Sequence, residues 1–211
     1  MTVRLAAVLA VASSAPSPPG VDPQRLRLAL LEDTYEVIAG LERVDAALAL
    51  CPPEQPDAES LTWPGTPLIR VAEQEAAAGP GALALAVLGA LTELGADEGT
   101  VVAADAPDLP PLLLGKLHRG LGSAEVAVCP AAGGGLVALA ATLPVPAWLR
   151  AADVGLDTPD ALVRLAAAAP RRRAMSTGPG WHRIRGPADI AALDPGLEGW
   201  EATRALLAGR A

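Results

Sequence analysis

The chain predicts an α/β protein, with a mostly parallel central sheet and helices on both faces. Two observations carry that expectation. Short apolar runs bounded by Pro and Gly alternate along the sequence with segments whose apolar residues recur at helical spacing. The first apolar run, Val3 to Ala12, is continuous, as a parallel strand covered on both faces should be.

The elements follow in order. Ala15 to Gly20 carries three prolines and can be neither helix nor central strand, so it is a loop. Leu26, Leu30, Val37, Ile38 and Leu41 place a helix over Arg25 to Leu41. Val44 to Leu50 is a second strand, stopped by Pro52-Pro53. The acidic, Pro-rich stretch from Pro52 to Pro67 reads as surface loop, and Leu68 to Val71 as a short edge strand. Gly81 to Leu94 is a helix ended by Gly95. Thr100 to Ala104 is a strand running straight into Asp105. Leu112 to Leu121 is a helix behind Pro110-Pro111. Strands at Ala124 to Val128 and Leu136 to Ala141 flank Gly133-Gly134-Gly135. Thr158 to Ala168 reads as a helix with Thr158 at its N-cap and Pro159 at N1. Pro187 to Leu193 is expected to be the last short helix.

Composition bounds the function. The 211 residues carry a net charge of −8 and are 51% hydrophobic and 19% charged, which excludes a disordered chain. The acidic balance argues against a nucleic-acid binder, which needs a basic face for phosphates. With 2% aromatic residues, no Phe and a single Tyr35, base-stacking platforms are equally unexpected. One lysine, Lys116, and no asparagine suggest codon pressure from a G+C-rich genome. No stretch reaches the ~20 apolar residues of a membrane span. Leu5 to Ala12 followed by Ser13-Ser14-Ala15 also fits a short signal peptide. The strand reading is preferred, because the following residues continue an α/β pattern, and it implies a cytoplasmic protein. Cys51 and Cys129 lack metal-ligand spacing and read as unpaired buried thiols, on strands expected to be separated by the first strand.

Three segments fall where an open sheet binds ligands, beyond the carboxyl ends of its strands. The loop after the first strand leads into a helix N-terminus able to hold phosphate, or is a plain turn. Asp105-Ala106-Pro107-Asp108-Leu109 puts carboxylates at a strand end, where Mg²⁺ would take one or two of them, or where an Asp simply caps a helix. Gly133-Gly134-Gly135 permits close backbone approach to a ligand, or a turn that needs positive φ. No Ser/His/Asp or Cys/His nucleophile set is visible.

In this order and spacing the segments resemble a bacterial family of the nucleotide-diphospho-sugar transferase (GT-A) superfamily. These are arsenosugar-biosynthesis-type glycosyltransferases related to the guanylyltransferases of molybdenum-cofactor and phospholactate metabolism. The family's first loop, Lys-Ala-Pro-x-Pro-Gly-x-x-Lys-Thr-Arg-Leu, is matched from Ser14 to Leu26 with one extra proline. Thr100 to Leu109 is similar to its Gly-x-Asp-x-Pro-x-Leu strand end. Cys129 to Gly135 looks like its Gly-Pro-x-x-Asp-Gly-Gly-Tyr turn, and Trp181 to Leu193 resembles its closing Trp-Tyr-Asp-Val-Asp-Thr-Pro segment.

The resemblance implies a nucleotide or nucleotide-sugar site at Ala15, Pro16, Gly20, Arg25, Gly134 and Gly135, with Asp105 as a weak Mg or Mn ligand. The departures bear on activity. Both loop lysines are replaced, by Ser14 and Pro23, the turn's Asp is Gly133, and the closing aspartates fall at Arg183 and Arg185. A second placement of the closing Asp-Thr-Pro falls at Asp157-Thr158-Pro159, where the distance from the glycine turn fits less well. Two functions stand open: an impaired glycosyltransferase- or nucleotidyltransferase-like protein that still binds a nucleotide, and an active transferase using Asp105-bound metal. Arg183 and Arg185 alternate along an extended segment, so both should point one way with Ile184 opposite. Facing Asp105, they would either plug the cleft or clamp a diphosphate.

Overall fold

The computed structural model describes residues 2–12 and 16–209. Seven strands form one sheet: β1 (Arg4–Val11), β2 (Asp45–Cys51), β3 (Leu68–Arg70), β4 (Glu98–Ala103), β5 (Val126–Pro130), β6 (Leu136–Thr142) and β7 (Met175–Thr177). Their spatial order is β3-β2-β1-β4-β6-β5-β7. Every pairing is parallel except those of β6, which runs antiparallel to both β4 and β5. The sheet is therefore mostly parallel, and β1 sits inside it, hydrogen-bonded on both sides.

Alternation along the strands separates two apolar layers. Leu5, Ala7 and Leu9 face one side with α4 (Ala82–Glu93), α6 (Ala147–Ala152) and α7 (Ala161–Ala168). Ala6, Val8 and Ala10 face the other, with α1 (Pro23–Ala39) and α5 (Pro111–Leu121). A third cluster joins Leu26, Ala29 and Leu30 of α1 to Ile184, Leu193, Trp200 and Leu206. Helices thus cover both faces, as the run of buried strands requires.

Several boundaries differ from the sequence reading. The stretch from Pro52 to Pro67 is not only surface loop. It holds the single turn α2 (Pro56–Glu59), and Gln55 is buried, donating from Nε2 to Ala10 O at 3.0 Å and Pro52 O at 2.9 Å. Thr158 does not cap α7. Its Oγ1 accepts from Gly155 N at 3.0 Å, closing a turn, and the helix starts at Ala161 behind Asp160. Pro187–Ala192 is a 3₁₀ segment, and the last helix is α8 (Glu201–Leu207). The helix α3 (Glu73–Ala76), α6, β7 and α8 carry too few residues to show a period. Cys51 and Cys129 are free and buried, and β1, β4 and β6 lie between their strands, not β1 alone. No helix among the described residues is long and apolar enough to cross a membrane.

Candidate functional site

The strand order reverses between β1 and β4, and a crevice opens there at their carboxyl ends. Because β6 is antiparallel, the turn from β5 into β6 lies at this same edge. A cavity of about 360 Å³ occupies the crevice, a size within the usual range for small-molecule sites. β1 supplies Leu9 and Val11, the end of β4 supplies Ala103 to Asp105, and α1 supplies Pro23, Leu26, Arg27 and Leu30. Leu156, Asp157 and the segment Arg183 to Gly186 close the far side.

Asp105 and Arg183 meet at the floor. Arg183 Nε donates to Asp105 Oδ1 at 2.6 Å and Nη2 donates to Oδ2 at 3.0 Å, a two-pronged pair that engages both carboxylate oxygens. Its Nη1 donates to Asp157 Oδ1 at 2.8 Å, Leu136 O at 3.1 Å and Leu156 O at 3.3 Å. Only 8% of the Arg183 side chain is exposed. Burial opposes its charge, yet Asp105 and Asp157 together hold the guanidinium above its ordinary range.

Arg185 lines the same cavity, and Ile184 between the two arginines lines it too, packed at 5% exposure in the third apolar cluster with Leu26 and Leu30. Arg185 donates from Nη1 to Gly134 O at 3.0 Å, and its Nη2 stands 3.8 Å from Asp157 Oδ1. Its Nε and Nη2 are buried and have no hydrogen-bond partner. Arg183 is spent within the protein, whereas Arg185 lines the cavity with a side chain 36% exposed while two of its donors are unpaired and covered by the protein.

The segment carrying both arginines is held by Asp108, whose side chain is fully buried. Asp108 accepts from Trp181 Nε1 at 3.0 Å and from Asp194 N at 3.2 Å, and His182 Nε2 lies 2.9 Å from one of its oxygens. Ile184 N donates to Asp105 O at 2.7 Å. The strand-end acidic stretch thus anchors the closing segment through both a carboxylate and a carbonyl.

The other sequence candidates are placed differently. Pro16 lines the cavity, and Ala15 lies outside the described residues. Gly20 has φ +83° and Arg25 is exposed, and neither is on the cavity wall. Arg27 stands there instead, donating from Nη1 to Gln55 Oε1 at 2.9 Å. Residues two positions apart in a helix are ~200° apart around the axis, so only one of Arg25 and Arg27 can face the cavity. The amides of Gly134 and Gly135 do not face a ligand: they donate to Ala131 O at 3.1 Å and Pro159 O at 3.3 Å. Gly135 is required for packing, since a Cβ would lie 2.5 Å from Leu156 O at a φ of +78°.

Arg27 is a candidate that the sequence reading did not single out, while Asp108 and Asp157 entered it only as members of longer segments. Asp157 had one signal, the second placement of the closing Asp-Thr-Pro. Asp108 had another, its position three residues beyond Asp105. A divalent cation fits this arrangement poorly, because both oxygens of Asp105 already accept from Arg183. Among the described residues, no group of three or more His, Cys, Asp or Glu side chains is arranged to hold one.

No family model and no curated protein matches the chain, so its likeness to known proteins is one of fold. A candidate nucleotide-diphospho-sugar transferase from Desulfovibrio desulfuricans G20 superposes with a TM-score of 0.69 at 14% identity, covering 100% of this chain and 99% of that one. A 4-diphosphocytidyl-2C-methyl-D-erythritol synthase from Anaerococcus prevotii DSM 20548 gives 0.61 at 11% identity, covering 98% and 96%. A CMP:2-keto-3-deoxy-manno-octonic acid synthetase complexed with CTP gives 0.57 at 14% identity, covering 99% and 100%. A Mycobacterium tuberculosis H37Rv protein in complex with manganese gives 0.51 at 18% identity, covering 98% and 99%. The chain has the fold of the nucleotide-diphospho-sugar transferases and cytidylyltransferases.

Proposed function

We propose that this protein is a nucleotidyltransferase-fold domain that binds a nucleotide or nucleotide sugar without a divalent cation and is impaired in group transfer. The observation that carries this reading is the pair between Asp105 and Arg183. A fixed guanidinium stands where the resemblance expects a metal ion, and Asp105 would have to release it before ligating Mg²⁺ or Mn²⁺. Stabilisation of developing charge is usually the largest catalytic term in phosphoryl-type chemistry. A guanidinium locked on a carboxylate supplies little of it.

Binding is a separate matter from turnover. The crevice is built, its walls are largely apolar, and Arg185 and Arg27 stand on it. The competing reading, an active transferase with metal on Asp105, is distinguished by a thermal-shift panel of nucleotides and nucleotide sugars in EDTA and in Mg²⁺ or Mn²⁺. Ligand at 100 times Kd stabilises by about 2.7 kcal/mol. The expected result is a shift in EDTA that the cations do not increase and that weakens with salt. Stabilisation that requires the cation, or metal-dependent release of pyrophosphate or nucleoside diphosphate, would overturn the proposal.

A further inference from the structure

Resting on that reading, we infer that the cavity selects a ligand with a single phosphate on an apolar or aromatic body, a nucleoside monophosphate rather than a di- or triphosphate. A polyphosphate needs neutralising partners along its length, normally a metal ion, a helix N-terminus or a run of free backbone amides. Among the described residues, the groups of this kind that the sequence reading places at this edge are already engaged within the protein.

Asp105, the carboxylate nearest a metal position, is held by Arg183. The first turn of α1 opens with Pro23, which has no N–H, and Asp22 Oδ1 accepts from Arg25 N at 2.8 Å. That carboxylate occupies the place an anion would take, and it would repel one. The amides of Gly134 and Gly135 are bound to carbonyls of their own chain.

The charges on the wall lead to the same result. Three arginines and two aspartates line the cavity, so the wall carries one net positive charge. Arg183 has both aspartates as partners, which leaves Arg185 and Arg27 to meet the ligand. Arg185 Nε and Nη2 are unpartnered and covered by the protein, so they reach a ligand only when the side chain, 36% exposed, turns outward, and Arg27 uses one Nη1 bond to Gln55. Two guanidinium groups suit one phosphate, which accepts forked bonds. Asp157 Oδ1 stands 3.8 Å from Arg185 Nη2, so each further phosphate at this wall meets a carboxylate that adds repulsion and no donor. The remaining wall is aliphatic and suits a flat base or a similar apolar group.

The test is isothermal calorimetry on the full chain in EDTA, using mono-, di- and triphosphates of adenosine, cytidine, guanosine and uridine. Inorganic phosphate and the parent nucleosides serve as further probes. For the best base, the monophosphate should bind at least tenfold more tightly than the triphosphate, and Mg²⁺ should not reverse the order. Arg185→Gln should weaken the monophosphate at least tenfold and leave the parent nucleoside within a factor of three. A triphosphate that binds as tightly as the monophosphate would overturn the single-phosphate inference while leaving nucleotide binding intact. Failure of every nucleotide to bind, with or without Mg²⁺, would remove the functional reading itself and the inference with it.

Discussion

Replacing Arg183 by methionine keeps a long side chain in place and removes the charge. With 8% of Arg183 and 23% of Asp105 exposed, the pair is largely but not fully desolvated. Breaking a buried pair by removing one partner costs about 3–5 kcal/mol, because the other charge is left uncompensated. Water reaches part of Asp105, and Asp157, at 80% exposure, returns to solvent at little cost. The expected loss is therefore about 2–4 kcal/mol. At ~2–4 °C per kcal/mol for a chain of this size, a loss of 3 kcal/mol lowers Tm by roughly 6–12 °C. Urea denaturation followed by tryptophan fluorescence should show a lower midpoint with an unchanged slope. Combining Arg183→Met with Asp105→Asn should cost about 1–3 kcal/mol less than the two singles together. Mn²⁺ should raise the midpoint of Arg183→Met, where Asp105 is freed, and not that of the wild type. A loss under about 1 kcal/mol, or simple additivity of the two substitutions, would refute the argument that this pair closes the floor of the site.

Three further outcomes follow from particular contacts. Asp33, buried on α1, accepts from Ala202 N at 3.0 Å and Thr203 N at 2.8 Å, and burial raises its pKa to about 6. The folded chain then takes up this proton more readily than the unfolded one, whose carboxyl titrates near 3.9. Asp33 therefore favours folding most below about pH 4, and that contribution declines as pH rises to about 6 and beyond. Wild-type stability minus that of Asp33→Asn should fall by about 2 kcal/mol between pH 4 and pH 7 in urea titrations, and a flat difference would count against it. Gly135→Ala should be destabilised by several kcal/mol and Gly133→Ala by about 1 kcal/mol, since a Cβ at Gly133 meets nothing within 4 Å. Equal midpoints for the two variants would deny the close approach to Leu156. Asp108→Ala should release the closing segment and cost about 2–4 kcal/mol. Limited proteolysis should then cut within residues 181–200 in the variant before the wild type, and an unchanged cleavage pattern would show that Asp108 is not the anchor.

Sequence alone fixed whatever depends on near neighbours. The apolar runs identified β1, β2 and β4, and the end of β4 delivered Asp105 to the ligand edge of the sheet. The alternation of Arg183, Ile184 and Arg185 predicts two arginines on one side and Ile184 opposite, whereas all three line the cavity and Ile184 packs in the third cluster as well. Tertiary structure decided which groups meet. Asp105 and Arg183 are 78 residues apart in the chain, Trp181 and Asp108 are 73 apart, and Arg27 and Gln55 are 28 apart. The antiparallel β6 brought the glycine turn to the site edge, and the turn then directed its amides to its own chain. Whether a guanidinium stays free for a ligand or is spent on a carboxylate depends on distances of about 3 Å between segments remote in sequence. Periodicity carries no record of such distances, so the pairing of Arg183 with Asp105 was set only when the sheet assembled around them.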